Sequence, residues 1–220
     1  SAAIAWRLGD EGFIENINAV SDAKVRVSYG FVGNSAVNPY STQANLINTG
    51  YDFAGSPAFG FAPGNLGNKD LVWEKSQELN IGIDLGLIQN RIYASLEIYN
   101  RKTVDLILSQ KIPTSTGFGE VISNVGEVNN NGIELALTTV NIANQNFNWT
   151  TNFNFSTNKN EIIELYGGGI DEDVGNSLFV GEPLGANYFY EFDGIWQLDQ
   201  ADEALVYEQV PGSVRVVDQN

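Results

Sequence analysis

Two runs near the middle of the chain alternate apolar and polar residues, and a short turn joins them. In residues 79–87 every odd position is Leu or Ile, and the even positions are Asn, Gly or Asp. After the turn, the apolar residues occupy the even positions from Ile92 to Ile98. Successive side chains of a β-strand point to opposite faces, so each run predicts a strand with one apolar face. Two such strands with a short turn predict a β-hairpin.

The same alternation recurs in four further runs, and the connections between runs differ in length. The further runs cover residues 1–8, 23–31, 133–138 and 147–156. Short turns lie near Gln89 and Asn144, whereas the long connections are rich in Gly, Asn and Pro and cover residues 33–70, 113–131 and 157–185. Apolar residues at helical spacing predict a turn of helix within residues 9–22 and another within residues 161–165. A last aromatic run, residues 188–196, precedes an irregular acidic tail.

The polar faces of the predicted strands favour a membrane barrel over a soluble sandwich. They are rich in Asn, Thr, Ser and Gly, while the apolar faces stay free of charge for about nine residues, the length of a tilted spanning strand. We therefore predict an all-β fold, a segment of an antiparallel transmembrane β-barrel with long extracellular loops and short periplasmic turns. Aromatic residues near strand ends predict interfacial girdles, formed by Trp6, Tyr29, Tyr99, Trp149 and Tyr190.

Composition excludes several classes of function. The 220 residues include 11 basic and 27 acidic ones, a formal charge of −16, which disfavours binding to nucleic acid. The chain has no His and no Cys, so catalytic triads and thiolate or imidazole metal sites are excluded within it. We expect no enzymatic activity, no cofactor and no metal site.

Several phrases of the sequence resemble the SusC/RagA-type TonB-linked receptors of the outer membrane. The resemblance spans nearly the whole chain, and the order of the phrases makes it specific. They are LVWEKSQELNIGIDLGLIQNRIYASLEIYNRKTVDLIL at 71–108, STGFGEVISNVGEVNNNGIELAL at 115–137, FNWTTNFNFSTNKNEIIEL at 147–165, VGEPLGANYFYEFDGIWQ at 180–197 and PGSVRVVDQN at 211–220.

This resemblance implies a TonB-dependent transporter with a barrel of 22 strands and a plug in its lumen. It implies import of an oligosaccharide or peptide across the bacterial outer membrane, in contact with membrane lipid and with a SusD-like surface lipoprotein. Residues 1–220 are then part of one barrel domain, and we expect the plug, the terminal strands and the segment that contacts the TonB complex to lie outside this chain. Ser213 stands where the family usually has Asp, so a calcium site at that motif is unsupported. The alternative is a secreted all-β module that binds glycans.

Two sets of residues are candidates for function. Aromatic residues among Gly and Asn in the first long connection suit stacking on sugars or peptides, or packing against neighbouring parts of the protein or a partner protein; they are Tyr40, Tyr51, Phe53, Phe59 and Phe61. Asp84, Glu97 and Glu134 lie on polar strand faces and are predicted to face the lumen, where they line a permeation path, act as paired acids or form part of a hydrated wall. The consecutive acids 171–173 lack the spacing of a calcium loop, which favours a solvated acidic loop.

Overall fold

The computed structural model describes residues 1–35 and 37–217. Residues 218–220, the end of the last family-like phrase, lie outside the described residues. Most of the described chain is strand, and the α-helices are short: α1 (Gly12–Glu15) and α2 (Ala201–Val206). The strands are β1 (Ala2–Arg7), β2 (Val20–Asn34), β3 (Leu46–Phe53), β4 (Ser56–Pro63), β5 (Glu74–Leu87), β6 (Ile92–Val104), β7 (Ile107–Lys111), β8 (Glu120–Asn124), β9 (Gly126–Ala143), β10 (Asn148–Leu165), β11 (Glu172–Asp173), β12 (Leu178–Phe179), β13 (Phe192–Ile195) and β14 (Val214–Val216).

Six of these strands form one antiparallel sheet, which we call the main sheet. Its order is β1-β2-β5-β6-β9-β10, so each strand pairs with the next long strand along the chain. The register places Ile83 beside Val25 and Leu96, and it places Asp84 beside Lys24 and Ser95. The alternation in each strand therefore adds up to one apolar face and one polar face. The prediction of an open piece of an antiparallel barrel wall is confirmed.

The connections at the two ends of the main sheet differ as predicted. Residues 88–91 and 144–147 are short turns, and the β1–β2 connection at the same end holds α1 within the span predicted to contain a turn of helix. The opposite end, which we call the long-loop end, carries three small hairpins. They are β3–β4, β7–β8 and β11–β12.

Several predictions about the loops and the girdle were wrong. Residues 161–165 do not form a helical turn, because β10 continues through them with a bulge between Ile162 and Glu164. The first long connection is not irregular throughout, since it holds the β3–β4 hairpin. Tyr99 pairs with Gly132 on the polar face and so does not belong to a girdle on the apolar face. Tyr190 lies outside the strands of the main sheet.

The chain divides into two compact units, residues 1–184 and 185–220. In the first unit, the loops of the long-loop end have their own small core of Val128, Ile162 and Leu165, against which side chains from the β7 and β12 regions pack. In the second unit, β13 pairs with β14, and the buried ring of Trp196 stacks on Tyr207 at 5.9 Å. Within the described residues, no helix has the length and apolar character required to cross a membrane.

Candidate functional site

An ion-pair cluster occupies the polar face of the main sheet where β2, β5 and β6 meet. Arg26 donates from Nε to Oδ2 of Asp84 at 2.9 Å and from Nη2 to Oδ1 at 3.1 Å. The same Nη2 donates to Oε1 of Glu97 at 2.9 Å. Lys24 Nζ lies 3.0 Å from Asp84 Oδ2, and Ser95 Oγ donates to Asp84 Oδ1 at 2.8 Å. One guanidinium thus joins three strands.

Glycine opposite the arginine gives the cluster its geometry. The register places Gly82 between Arg26 and Glu97. A Cβ at Gly82 would lie 2.9 Å from Cζ and Nη2 of Arg26, so the guanidinium lies flat over the backbone there. A similar arrangement holds nearby, where the ring of Tyr99 covers Gly132 and its hydroxyl donates to Asn158 at 3.2 Å.

The three predicted lumen residues have different environments. Asp84 is only 4% exposed and is neutralised by Lys24 and Arg26. Glu97 is bound by Arg26 and accepts from Asn80 Nδ2 at 3.2 Å. Glu134 stands directly opposite Glu97 in the β6–β9 register but is exposed, with no hydrogen bond or ion pair to any described residue. Like charges directly opposite each other repel, so the pairing of Glu97 with Arg26 relieves this contact.

Two shallow clefts lie on either side of the Glu97–Glu134 pair. One, about 360 Å³, is lined by Ser95, Asn154 and Ser156 as well as by the two glutamates. The other, about 320 Å³, is lined by the same two glutamates and by Glu78, Arg101 and several amide side chains. Amide, hydroxyl and carboxylate groups line both clefts, which makes this stretch of wall hydrated and suited to hydrogen bonding with polar solutes.

The alternation in the sequence assigns the acids to the polar face, where the register also places them, but it does not predict their partners. Lys24 and Arg26 alternate along β2 at positions 24 and 26, which was a signal that they share that face. The missing information was the register between β2 and β5, because Arg26 and the Asp84 carboxylate that it binds lie 58 positions apart in the sequence.

The five predicted aromatic contact residues do not form one platform. Tyr40 lies in a turn before the β3–β4 hairpin, and the register divides the other four between the two faces of the hairpin. Phe59 and Phe61 share one face and are 97% and 70% exposed. Tyr51 is on the other face, where its ring covers Gly60. The hairpin therefore presents an exposed pair of phenylalanines at the long-loop end of the sheet.

The loops at this end are tied to each other. Asn124, at the end of β8, donates to the carbonyl of Val72 and accepts from its N–H, both at 2.8 Å. Asn68 donates to the carbonyl of Ile122 at 2.9 Å. These bonds connect the first long loop to the β7–β8 hairpin, so the two loops form a joined surface.

The acidic stretch 171–173 is part of this loop structure. The hydroxyl of Tyr166 donates to Asp173, and this hydrogen bond lowers the pKa of the Asp173 carboxyl below its usual value. Burial raises the pKa of the Tyr166 hydroxyl. Among the described residues, no group of three or more acidic side chains is placed to hold a metal ion.

Comparison with known proteins decides the family. The family model described as TonB dependent receptor-like, beta-barrel, matches residues 1–218. The chain belongs to this family. TonB-dependent receptor P26 of Formosa agariphila is 35% identical over 100% of this chain and 23% of its own length. TonB-dependent receptor SusC of Bacteroides thetaiotaomicron is 31% identical over 76% of this chain and 17% of its own length.

Solved structures of similar fold belong to the same kind of receptor. The RagAB peptide transporter superposes with a TM-score of 0.76 at 30% identity, covering 88% of this chain and 21% of the other. The RagAB peptide importer in its 'closed-closed' state has a TM-score of 0.77 at 27% identity and covers 99% of this chain and 24% of the other. This TonB-dependent receptor chain thus spans less than a quarter of the curated relatives it matches. The resemblance to SusC/RagA-type receptors is confirmed.

Proposed function

We propose that residues 1–220 form part of the barrel wall of a TonB-dependent importer in the bacterial outer membrane. They lie in one β-barrel domain of a longer receptor that takes up an oligosaccharide or peptide nutrient together with a SusD-like surface lipoprotein. The observation that carries the proposal is that the main sheet has two different faces. One face is apolar, and on the opposite, polar face the buried Asp84 is neutralised by ion pairs. Family membership disfavours the alternative of a secreted glycan-binding module.

In this arrangement the apolar face contacts lipid and the polar face lines the lumen. Asp84, Glu97 and Glu134 then line the lumen wall, as the sequence predicted. No covalent step is assigned to them, because Asp84 is neutralised by two cations and a hydroxyl, and Glu97 is bound by Arg26. Their role is to keep the wall polar and hydrated along the path of the nutrient.

The long-loop end is the extracellular end in this proposal. Joined loops with an exposed pair of phenylalanines suit contact with a partner protein or with the nutrient, because aromatic rings bury a large area with little loss of conformational freedom. Tyr40, Tyr51 and Phe53 extend this surface on the neighbouring turn and on the other face of the hairpin.

Uptake by cells that produce the full-length receptor tests the function. Cells with and without the receptor and its SusD-like lipoprotein are given labelled oligopeptides or labelled oligosaccharides, with and without a protonmotive-force uncoupler. Receptor-dependent uptake of one class that the uncoupler abolishes is expected. Uptake of both classes that is the same in cells with and without the receptor would contradict the proposal.

The loop surface has its own test. Phe59→Ala with Phe61→Ala is compared with Phe13→Ala, an exposed phenylalanine at the short-turn end of the sheet. Loss of lipoprotein co-purification identifies a partner contact, whereas reduced uptake with co-purification intact identifies a nutrient contact. If neither changes relative to the Phe13 variant, the hairpin has neither role.

A further inference from the structure

The apolar face of the main sheet ends in a polar rim at the long-loop end, and a groove crosses this boundary. The groove has a volume of about 400 Å³. Its apolar part is lined by Leu79, Ile81, Ile98 and Ile133, and its polar part includes Asn100 and Lys159. A groove that is apolar on the membrane side and polar on the other matches the two chemical parts of a lipid.

Three lysines lie on the apolar-face side of the strands at this rim, each in an ion pair. Lys159 Nζ lies 2.6 Å from Glu161 Oε2, and Lys102 Nζ lies 2.7 Å from Glu127 Oε1. Lys75 Nζ lies 2.9 Å from Asp105 Oδ2. The side chains of Lys159 and Lys75 are well exposed, so their ammonium groups remain accessible.

The three ion pairs have the same orientation relative to the apolar belt of the sheet. Along β10, Lys159 precedes Glu161 on the way from the apolar belt to the loops. In the β6–β9 register Lys102 pairs with Asn129, and Glu127 lies two residues farther toward the loops. Lys75 pairs with Val104, and Asp105 lies one residue beyond it. In all three pairs the cation is nearer the apolar belt and the carboxylate is farther away.

The opposite end of the apolar face has a different character. In the described strands, the outward positions there carry no charged residue; examples are Trp6, Leu87, Ile92, Thr139 and Phe153. The oriented pairs therefore distinguish one leaflet from the other. A chain with a formal charge of −16 nevertheless presents its cations first to the headgroups of the leaflet at the long-loop end.

We propose that this rim is a binding site for a phosphate-bearing anionic lipid, whose acyl chain fills the groove and whose headgroup meets Lys159 and Lys102. Ammonium groups bind phosphate as point charges, and an anionic surface attracts each nearby lysine. The carboxylates hold the lysines in position and lie on the side away from the headgroups. The inference relies on the membrane placement of the barrel but not on which nutrient is imported.

Reversing one pair tests the inference with no change in net charge. The full-length receptor is purified in detergent, and retention of phosphatidylglycerol and phosphatidylcholine is measured by native mass spectrometry. The variants are the double exchange Lys159→Glu with Glu161→Lys, the single change Lys159→Gln, and Lys69→Gln as a control at an exposed loop lysine without an ion pair among the described residues.

Wild type and the Lys69 control are expected to retain phosphatidylglycerol preferentially. The single change should lower that preference by about fivefold, and the exchange should lower it at least as much. Equal retention of the two lipids by wild type, or an unchanged preference in both Lys159 variants, overturns the inference. Nutrient uptake measured on the same variants is expected to be normal, so failure here is distinguishable from failure of the proposed import function.

Discussion

Removal of Arg26 is the sharpest test of how the polar face is stabilised. In Arg26→Met, Asp84 keeps Lys24 and Ser95 as partners, but Glu97 keeps only Asn80 and still faces Glu134. Three charge-assisted hydrogen bonds are lost. Breaking a buried ion pair by removing one partner costs about 3–5 kcal/mol. The Arg26 side chain is 33% exposed and Lys24 remains, so we expect a loss of about 2–4 kcal/mol.

The matched control is Arg101→Met. Arg101 also pairs with a glutamate on the polar face, with Nε donating to Glu78 Oε2 at 2.6 Å, but its side chain is 53% exposed. Exposed ion pairs contribute about 0–1 kcal/mol, so this variant should be little affected. The assay is urea unfolding of the full-length receptor in detergent, followed by loss of the compact, heat-modifiable band on gels. A loss in Arg26→Met no larger than in Arg101→Met would refute the reasoning.

Three other predictions address the glycines, the apolar face and the loops. Gly132→Ala should destabilise the barrel by about 1–3 kcal/mol in the same assay, because the added Cβ would collide with the Tyr99 ring. The control Gly50→Ala should not destabilise it, because a Cβ at residue 50 would meet open space. Ile83→Arg should destabilise the assembled barrel by about 2–4 kcal/mol if residue 83 lies near the midplane, whereas the control Asn80→Arg, on the polar face, should assemble normally. A normal yield of assembled barrel for the Ile83 variant contradicts the lipid-facing assignment. Tyr166→Phe should raise hydrogen exchange in residues 172–179 at neutral pH, since Asp173 loses a hydrogen bond. Folding lowers the pKa of the Asp173 carboxyl, so this hydrogen bond stabilises the loop above pH about 3.9. Its contribution is lost as the pH falls through the folded pKa. The difference in hydrogen exchange between variant and wild type, corrected for intrinsic exchange, should therefore vanish in acid.

The strands of the main sheet could be predicted because alternation is a local signal. Residues 79–87 and 92–98 were identified from their periodicity, although β5 begins five residues earlier, at Glu74. The early part of β5 contains Lys75 and Gln77 on the apolar-face side, so the alternation is hidden there by polar residues at the rim.

The loops could not be predicted in the same way. Ile162, Ile163 and Leu165 have a spacing that suits a helix, but they continue β10, and a bulge allows Ile162 and Leu165 both to enter the small loop core. The β3–β4 hairpin was missed because Gly and Pro interrupt its alternation, as at Gly60, which is needed beneath the Tyr51 ring.

The ion-pair cluster also required information beyond local sequence. Asp84 and Glu97 could be placed on polar faces, yet their shared partner Arg26 depends on the register of three strands. The exposed state of Glu134, in contrast with buried Asp84, follows from the same register.

The most direct test of the central claim is a cysteine scan along β5. The chain has no Cys, so single substitutions at residues 78, 80, 81, 83 and 85, which leave Gly82 and Asp84 of the ion-pair cluster intact, can be made in the full-length receptor after replacing any cysteines elsewhere. Each is labelled with a fluorophore, and quenching by brominated lipid is compared with quenching by a water-soluble agent. Labels at 81, 83 and 85 should be quenched by the lipid, and those at 78 and 80 by the water-soluble agent. Equal lipid quenching at odd and even positions would contradict the assignment of this sheet to a barrel wall.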